Sequence, residues 1–200
     1  MQDIAILIPA AGSSRRMRGA DKLMEPVEGE PLLRRQAKAA LAVGAHVSVT
    51  LPDPEHPRME ALRGLSVMPV FVPDADEGMA ASLRRGVRLL PDGIRAVMIL
   101  PADMPDLGQA ELQIMLDAFR NASRPMLVQG CADDGTPGHP VLFPADCFPA
   151  LERVIGDTGA RSVLKSNINR LAYVPLPGRA ALTDLDTPEA WQDWRAGALT

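Results

Sequence analysis

Cysteine is scarce in this chain, with two residues in 200, Cys131 and Cys147. Their separation matches no metal-ligand spacing, and two thiols are too few for a disulfide framework. Both are therefore expected to be reduced, in a cytoplasmic protein. Aromatic residues make up only 4%, which leaves no stacking platform for single-stranded nucleic acid. Basic surplus is also missing. The formal net charge is -4, which argues against a general nucleic-acid partner. No apolar run approaches the ~20 residues that a membrane span needs, so no membrane partner is expected. The N-terminus, MQDIAILIPAAG, has no charged region ahead of its short apolar stretch and reads as a first strand, not a signal peptide.

Several catalytic signatures are absent as well. There is no G-x-x-x-x-G-K-[ST], which excludes a P-loop NTPase. No G-x-G-x-x-G follows the first strand, which weakens a dinucleotide-dependent oxidoreductase. There is no G-x-S-x-G elbow and no His or Cys cluster with zinc spacing. Internal repeats, low-complexity tracts and linkers are lacking too. The length fits one domain, residues 1–200, large enough to bury a sizeable core.

What is present is an alternation of apolar runs and helical patterns, the signature of βαβ architecture with a mainly parallel sheet. Strands are expected at Ile4–Ile8, His46–Leu51, Val67–Val72, Ala96–Leu100 and Met126–Gln129. Pro140–Phe143 and Leu171–Pro175 carry weaker strand signals. Helices are expected at Pro31–Val43, Arg58–Arg63, Met79–Leu90, Gly108–Asn121, Pro144–Val154, Ala160–Ser166 and Pro188–Arg195. Pro31 and Pro188 suit first-turn positions, with Thr187 as an N-cap. The segment Cys131–His139, CADDGTPGH, reads as flexible and suits a lid.

The densest chemical signal lies in IAILIPAAGSSRRMRGADKL. A buried strand runs into the small residues Ala10, Ala11, Gly12, Ser13 and Ser14, which allow close backbone approach to a ligand. Arg15, Arg16, Arg18 and Lys22 follow, and Arg and Lys are the side chains that neutralise phosphate oxygens. A solvated arginine face is the plainer reading. The position at the carboxyl end of a first strand, where open α/β sheets bind ligands, favours a triphosphate-binding loop.

Four further segments carry polar groups. In VMILPADMP an apolar strand ends in Asp103, which either holds Mg²⁺ opposite the first loop or caps the turn before Gly108. In DADEGMAASL a helix starts near Met79. Either its N-terminal N–H groups receive a polar base edge or an anion, or Asp76 and Glu77 complement its dipole, and Ser82 sits beside Ala80 and Ala81 where close approach is possible. Asp184 and Asp186 lie two apart and share a face if extended, either toward a metal or as solvated acids before a helix. Gly138-His139-Pro140 precedes a short apolar run. A lone histidine is more often structural, and phosphoryl or nucleotidyl transfer relies on positioning and charge stabilisation without one.

Ala10-Ala11-Gly12-x-Ser14-x-Arg16-Met17 with Lys22 resembles the signature loop of the molybdopterin nucleotidyltransferases, and most closely their molybdenum cofactor cytidylyltransferase branch. EGMAASLRRG at 77–86, LPADMPDL at 100–107, GHPVLF at 138–143, GDTGAR at 156–161 and LDTPEAW at 185–191 resemble the same family in the same order. The resemblance implies a Rossmann-like, three-layer α/β/α nucleotidyltransferase fold. It implies Mg²⁺-dependent attack of a terminal phosphate of molybdopterin on the α-phosphorus of an NTP, with release of pyrophosphate. Carried onto this chain, Ala10, Ala11, Gly12 and Ser14 cradle the nucleotide, with Ser82 lining the nucleotide or acceptor pocket. Arg16 and Lys22 neutralise the triphosphate. Asp103 binds Mg²⁺, with Asp186 as a second contact, and Gly138, His139 and Pro140 belong to the acceptor side. Ala-Ala-Gly, where the guanylyl branch reads Ala-Gly-Gly, favours CTP over GTP. A molybdenum hydroxylase or its maturation chaperone is the implied recipient of the product. Two positions depart from the pattern: Arg18 intervenes before Gly19, and Pro9 precedes the loop. Two other readings remain open at this stage, transfer to a sugar phosphate or other small phosphate, and a nucleotide-binding accessory protein without turnover.

Overall fold

The structure is a computed structural model, and it describes residues 3–156 and 159–197. The apolar runs become strands of one seven-stranded sheet. In chain order these are β1 (Ile4–Pro9), β4 (His46–Leu51), β5 (Met68–Phe71), β6 (Ala96–Ile99), β7 (Leu127–Cys131), β8 (Pro137–Pro144) and β9 (Leu171–Pro175), arranged β5-β4-β1-β6-β8-β7-β9. A separate two-stranded ribbon pairs β2 (Pro26–Val27) with β3 (Glu30–Pro31). The β1/β4, β1/β6, β4/β5 and β7/β9 pairings are parallel, and β8 alone runs against its neighbours β6 and β7.

Helices cover both faces of the sheet, which is why its strands read as continuous apolar runs and not as alternating ones. On one face Ile4, Ile6 and Ile8 pack with Leu33, Ala37 and Ala40 of α1 (Leu32–Ala42) and with Leu112, Met115 and Leu116 of α4 (Gln109–Arg120). On the other, Ala5 and Leu7 meet Ala80, Leu83 and Val87 of α3 (Met79–Arg88), Leu151 of α5 (Phe148–Leu151) and Val163 of α6 (Arg161–Ser166). The short α2 (Arg58–Leu62) and the C-terminal α7 (Pro188–Arg195) complete the helices named here. This is the expected mixed α/β, three-layer arrangement with a mostly parallel sheet. No helix of the described residues is long and apolar enough to cross a membrane.

Three local expectations change. Pro31, expected in the first turn of α1, is instead the last residue of β3 and the N-cap, with ψ 139°. The turn before it, Glu28-Gly29, has positive φ at both positions, 51° and 86°, the signature of a tight hairpin turn. The helix expected over Pro144–Val154 splits into a 3₁₀ turn, Ala145–Cys147, and the one-turn α5. The lid expected at Cys131–His139 is the turn and flanks of an antiparallel β7–β8 hairpin, with Ala132 donating its N–H to the Thr136 carbonyl at 3.0 Å. Its Asp-Asp-Gly-Thr-Pro composition suits a hairpin turn as well as a lid. Thr187 does cap α7, accepting from the Ala190 N–H at 3.2 Å. Of the GDTGAR segment, Asp157 and Thr158 lie outside the described residues.

Candidate active site

β1 lies at the centre of the parallel half of the sheet, with β4 on one side and β6 on the other. At such a point the connections leave in opposite directions and a crevice opens beyond the strand ends. A cleft of about 420 Å³ occupies it. Its lining includes Ala10, Ala11, Gly12, Ser14, Arg16, Lys22, Ser82, Asp103 and Asp186. Nine residues from four sequence segments, each singled out in the sequence, thus meet in one place. Gly138, His139 and Pro140 are not part of that lining.

The first loop leaves β1 at Pro9. The Ala10 N–H is held by the Thr50 carbonyl and side-chain oxygen, both at 3.1 Å. Ser14 has φ 49°, and a single 3₁₀ turn, Arg15–Met17, follows. Met17 is buried beside Val27, Leu32, Leu185 and Trp191, which anchors the loop to α7. Gly12 meets nothing within 4 Å where a side chain would begin, so the space there stays open to a ligand. Among the described residues no protein acceptor takes the backbone N–H of Ala11, Gly12, Ser13 or Ser14.

Lys22 sits where two carboxylates converge. Its ammonium lies 2.5 Å from an Asp103 oxygen and 2.5 Å from an Asp186 oxygen. Arg16 contacts the other Asp186 oxygen at 2.5 Å, with most of its own side chain exposed. Asp103 is placed by the turn after β6. Its carbonyl accepts the Leu185 N–H at 3.0 Å, so the segments carrying the two acids are tied directly together. The buried Gln36 side chain of α1 supports the same turn by donating to the Met104 carbonyl at 2.7 Å.

The electrostatics follow from these contacts. Burial pushes the Lys22 pKa down, but Asp103 and then Asp186 outweigh it and leave it above the usual lysine value. Burial raises Asp186, and Lys22 and Arg16 more than offset this, so it stays below the usual aspartate value. Asp184 has no such cation: burial first, and then Asp186 and Asp103, push it up. Asp184 and Asp186 thus interact unequally: Asp186 helps raise Asp184, while a hydrogen bond from Asp184 helps lower Asp186.

Two carboxylates from different segments aimed at one point are hard oxygen donors. Mg²⁺ is commonly held by one or two protein carboxylates together with substrate phosphates. Asp103 and Asp186 fit that donor pattern, and among the described residues no group of three or more His, Cys, Asp or Glu is placed to hold a metal.

Arg18 is directed elsewhere, to Glu189 at 2.7 Å, whereas Arg15 pairs with Asp76 at 3.3 Å and both of these exposed side chains line the cleft. The intervening Arg18 therefore leaves the reach of Lys22 intact. Glu77 pairs with Arg84 at 2.5 Å and Asp74 with Arg85 at 2.7 Å, so these acids bind cations of the helix that follows. Ser82 is buried in the cleft wall on α3. Gly138 passes so near the Ala181 backbone that a side chain would begin 2.0 Å from that carbonyl oxygen. The His139 N–H donates to the same oxygen at 2.8 Å. These contacts give Gly138 and His139 a packing role at the strand end. Crowding by protein at the imidazole holds the His139 pKa below the usual histidine value, although Asp103 and Asp184 pull it up.

Sequence reasoning missed Asp21 and Arg58. Arg58 is 2% exposed and forms a two-pronged pair with Asp21. The Ser14 hydroxyl, expected to face a nucleotide, donates to Asp21 at 3.2 Å and accepts from Arg58 at 3.0 Å. Asp21 stays below the usual aspartate value because Arg58 outweighs the upward push of burial.

A loop with unpaired amides and cations, facing two carboxylates at the switch point of a parallel sheet, defines a nucleotide-handling α/β protein. The chain matches the MobA-like NTP transferase domain over residues 6–171 and belongs to that nucleotidyltransferase family. It is 31% identical over 192 residues to the Purine catabolism protein PucB of Bacillus subtilis, covering 91% of each chain. To a Probable molybdenum cofactor guanylyltransferase of Natronomonas pharaonis it is 31% identical, covering 92% of each. To the 2-C-methyl-D-erythritol 4-phosphate cytidylyltransferase of Salinibacter ruber it is 30% identical, covering 65% of this chain and 56% of that one. The fold is shared with Rv0371c from Mycobacterium tuberculosis (TM-score 0.82, 24% identity, covering 100% and 99%). It is shared also with a nucleotidyl transferase from Methanothermobacter thermautotroptrophicus (TM-score 0.81, 22%, covering 100% and 99%). Rv0371c has also been solved in complex with manganese (TM-score 0.79, 22%, covering 98% of each chain).

Proposed function

We propose that this protein transfers a nucleotidyl group from an NTP, with CTP preferred, to the phosphate of a molybdopterin-type acceptor, releasing pyrophosphate. The observation that carries this reading is the meeting of the 10–16 loop, Lys22, Asp103 and Asp186 around one cleft. Loop amides and Arg16 bind and orient the triphosphate. Lys22 supplies positive charge where it grows on the departing pyrophosphate, which is the term that most lowers such barriers. Asp103 and Asp186 would hold Mg²⁺, which supplies charge neutralisation on the phosphate oxygens when bound. Because Lys22 pairs with both acids and Arg16 with Asp186, Mg²⁺ held there would require the two cations to turn toward the phosphates.

Support for the acceptor comes from the relative named a molybdenum cofactor guanylyltransferase. Support for CTP comes from Ala11, where the guanylyl branch carries glycine. A molybdenum hydroxylase, or its chaperone, is the recipient in keeping with the relative named for purine catabolism. A second reading, transfer of CMP to a small organic phosphate, is favoured by the relative that is a methylerythritol phosphate cytidylyltransferase.

The test is pyrophosphate release with Mg²⁺, molybdopterin and each of the four NTPs. Release with CTP alone is expected. Release with GTP in its place would discard the role given to Ala11, and preference for methylerythritol phosphate over molybdopterin would transfer the assignment to the second reading.

A further inference from the structure

We infer that Arg58 is a positioning residue, which sets the direction of the loop amides that receive the triphosphate. This inference rests on the nucleotide reading of the cleft.

A guanidinium has five N–H donors in a fixed planar fork. Arg58 uses all five on one loop. Nε donates to Asp21 at 2.7 Å. One terminal nitrogen donates to the Ala10 carbonyl at 2.6 Å and the Gly12 carbonyl at 2.7 Å. The other donates to Ser14 Oγ at 3.0 Å and to the second Asp21 oxygen at 2.7 Å. The residue lines a second hollow of about 740 Å³, together with Asp21 and His56, which adjoins the cleft and shares the loop residues with it. Neither Arg58 nor Asp21 lines the 420 Å³ cleft.

The loop therefore borders both hollows, and Arg58, which borders only the second, draws two of its carbonyls toward itself. A trans peptide is planar, with its C=O and the next N–H pointing in opposite directions. Drawing the Ala10 and Gly12 carbonyls toward Arg58 turns the Ala11 and Ser13 N–H groups the other way, toward the cleft. These are among the amides that no protein group accepts. Neutral carbonyls gripped by a charged donor form bonds about twice as strong as neutral pairs, so the direction is held before any ligand arrives. Asp21 neutralises the guanidinium, which leaves the loop with oriented dipoles and no added charge. Lysine cannot replace this function, because an ammonium lacks the planar fork.

The test compares Mg²⁺–CTP and inorganic pyrophosphate binding by calorimetry, with melting temperatures measured alongside. Arg58→Lys keeps the charge and loses the fork. Arg58→Met with Asp21→Asn removes both charges together, so that no carboxylate is left buried and unpaired. Arg34→Met is the control: Arg34 ties down the same helix by donating to the Ala61 and Arg63 carbonyls and does not touch the loop. Folded Arg58→Lys and the double variant should bind both ligands about 10- to 100-fold more weakly, the range expected for losing bonds from a charged donor. Arg34→Met should melt earlier and bind normally. Normal affinity in either folded Arg58 variant would overturn the inference. So would weakened binding in Arg34→Met that follows its melting temperature. If wild-type protein binds neither ligand, the nucleotide reading itself falls.

Discussion

Lys22 shows how one side chain comes to serve two carboxylates. Its stem is mostly buried, and its charge is held by Asp103 and Asp186 and not by water. Lys22→Met leaves Asp103 without this cation and should melt earlier, and the folded variant should lose about 10²- to 10³-fold in kcat, measured as pyrophosphate release. A fall confined to KM would mean that Lys22 binds the ground state and the transition state alike. Asp21 has its own pH signature. Its folded pKa lies below the usual value, so its stabilisation is complete above the usual aspartate range and is lost as pH falls through the lowered pKa. Asp184 has the opposite sign: its raised pKa favours the fold below the usual range, and this is lost as pH rises through it. Asp21→Asn should be less stable near neutral pH and show a smaller drop in melting temperature between about pH 7 and about pH 3. An unchanged acid limb would show that the Arg58 pair survives acidification. The residues of the first loop were legible because small and cationic types are locally concentrated there. Arg58 was not, because its partners lie 37 to 48 positions away and nothing local marks it.

Helices and strands explain why some glycines and caps matter. Gly138 and the Ala181 carbonyl occupy space that leaves no room for a methyl group. Gly138→Ala should destabilise by about 1–3 kcal/mol through overpacking, read as a lower melting temperature. An unchanged melt would show that the 181 segment yields and would return Gly138 to the acceptor side. Thr187 caps α7 directly after Asp186. Thr187→Ala should cost about 1 kcal/mol, some 2–4 °C for a chain of this size. Because the cap borders the acid, a rise in the metal concentration needed for half-maximal rate should accompany it. At this scale the central strands were readable, since burial on both faces makes them apolar throughout. The β7–β8 hairpin was misread as a lid, since its polar turn looks the same in either role. The β2–β3 ribbon was missed because two-residue strands carry no period.

For the molecule as a whole, charge distribution matters more than charge total. A net charge of -4 coexists with four cations between positions 15 and 22. Arg18 is committed to an exposed pair with Glu189, while Arg15, Arg16 and Lys22 line the cleft, Arg15 paired with Asp76 and the other two with Asp186. Nucleotide affinity should fall steeply between about 0.05 and about 0.5 M salt, because phosphate attraction is screened while the apolar core is not. A flat salt dependence, measured by calorimetry with the melting temperature constant, would place the affinity in uncharged contacts.

The sequence by itself determined the βαβ alternation with a mainly parallel sheet and the identity of the loop and acids around the cleft. Periodicity, small residues and clustered charge are local properties that survive without a fold. Tertiary structure alone decided which of those groups meet. It brought Asp186 across the chain to Asp103 and Lys22, set Gly138 and His139 against Ala181, and placed Arg58 behind the loop. These are long-range contacts, made by chain closure and packing between elements far apart in sequence, and no short window of residues encodes them.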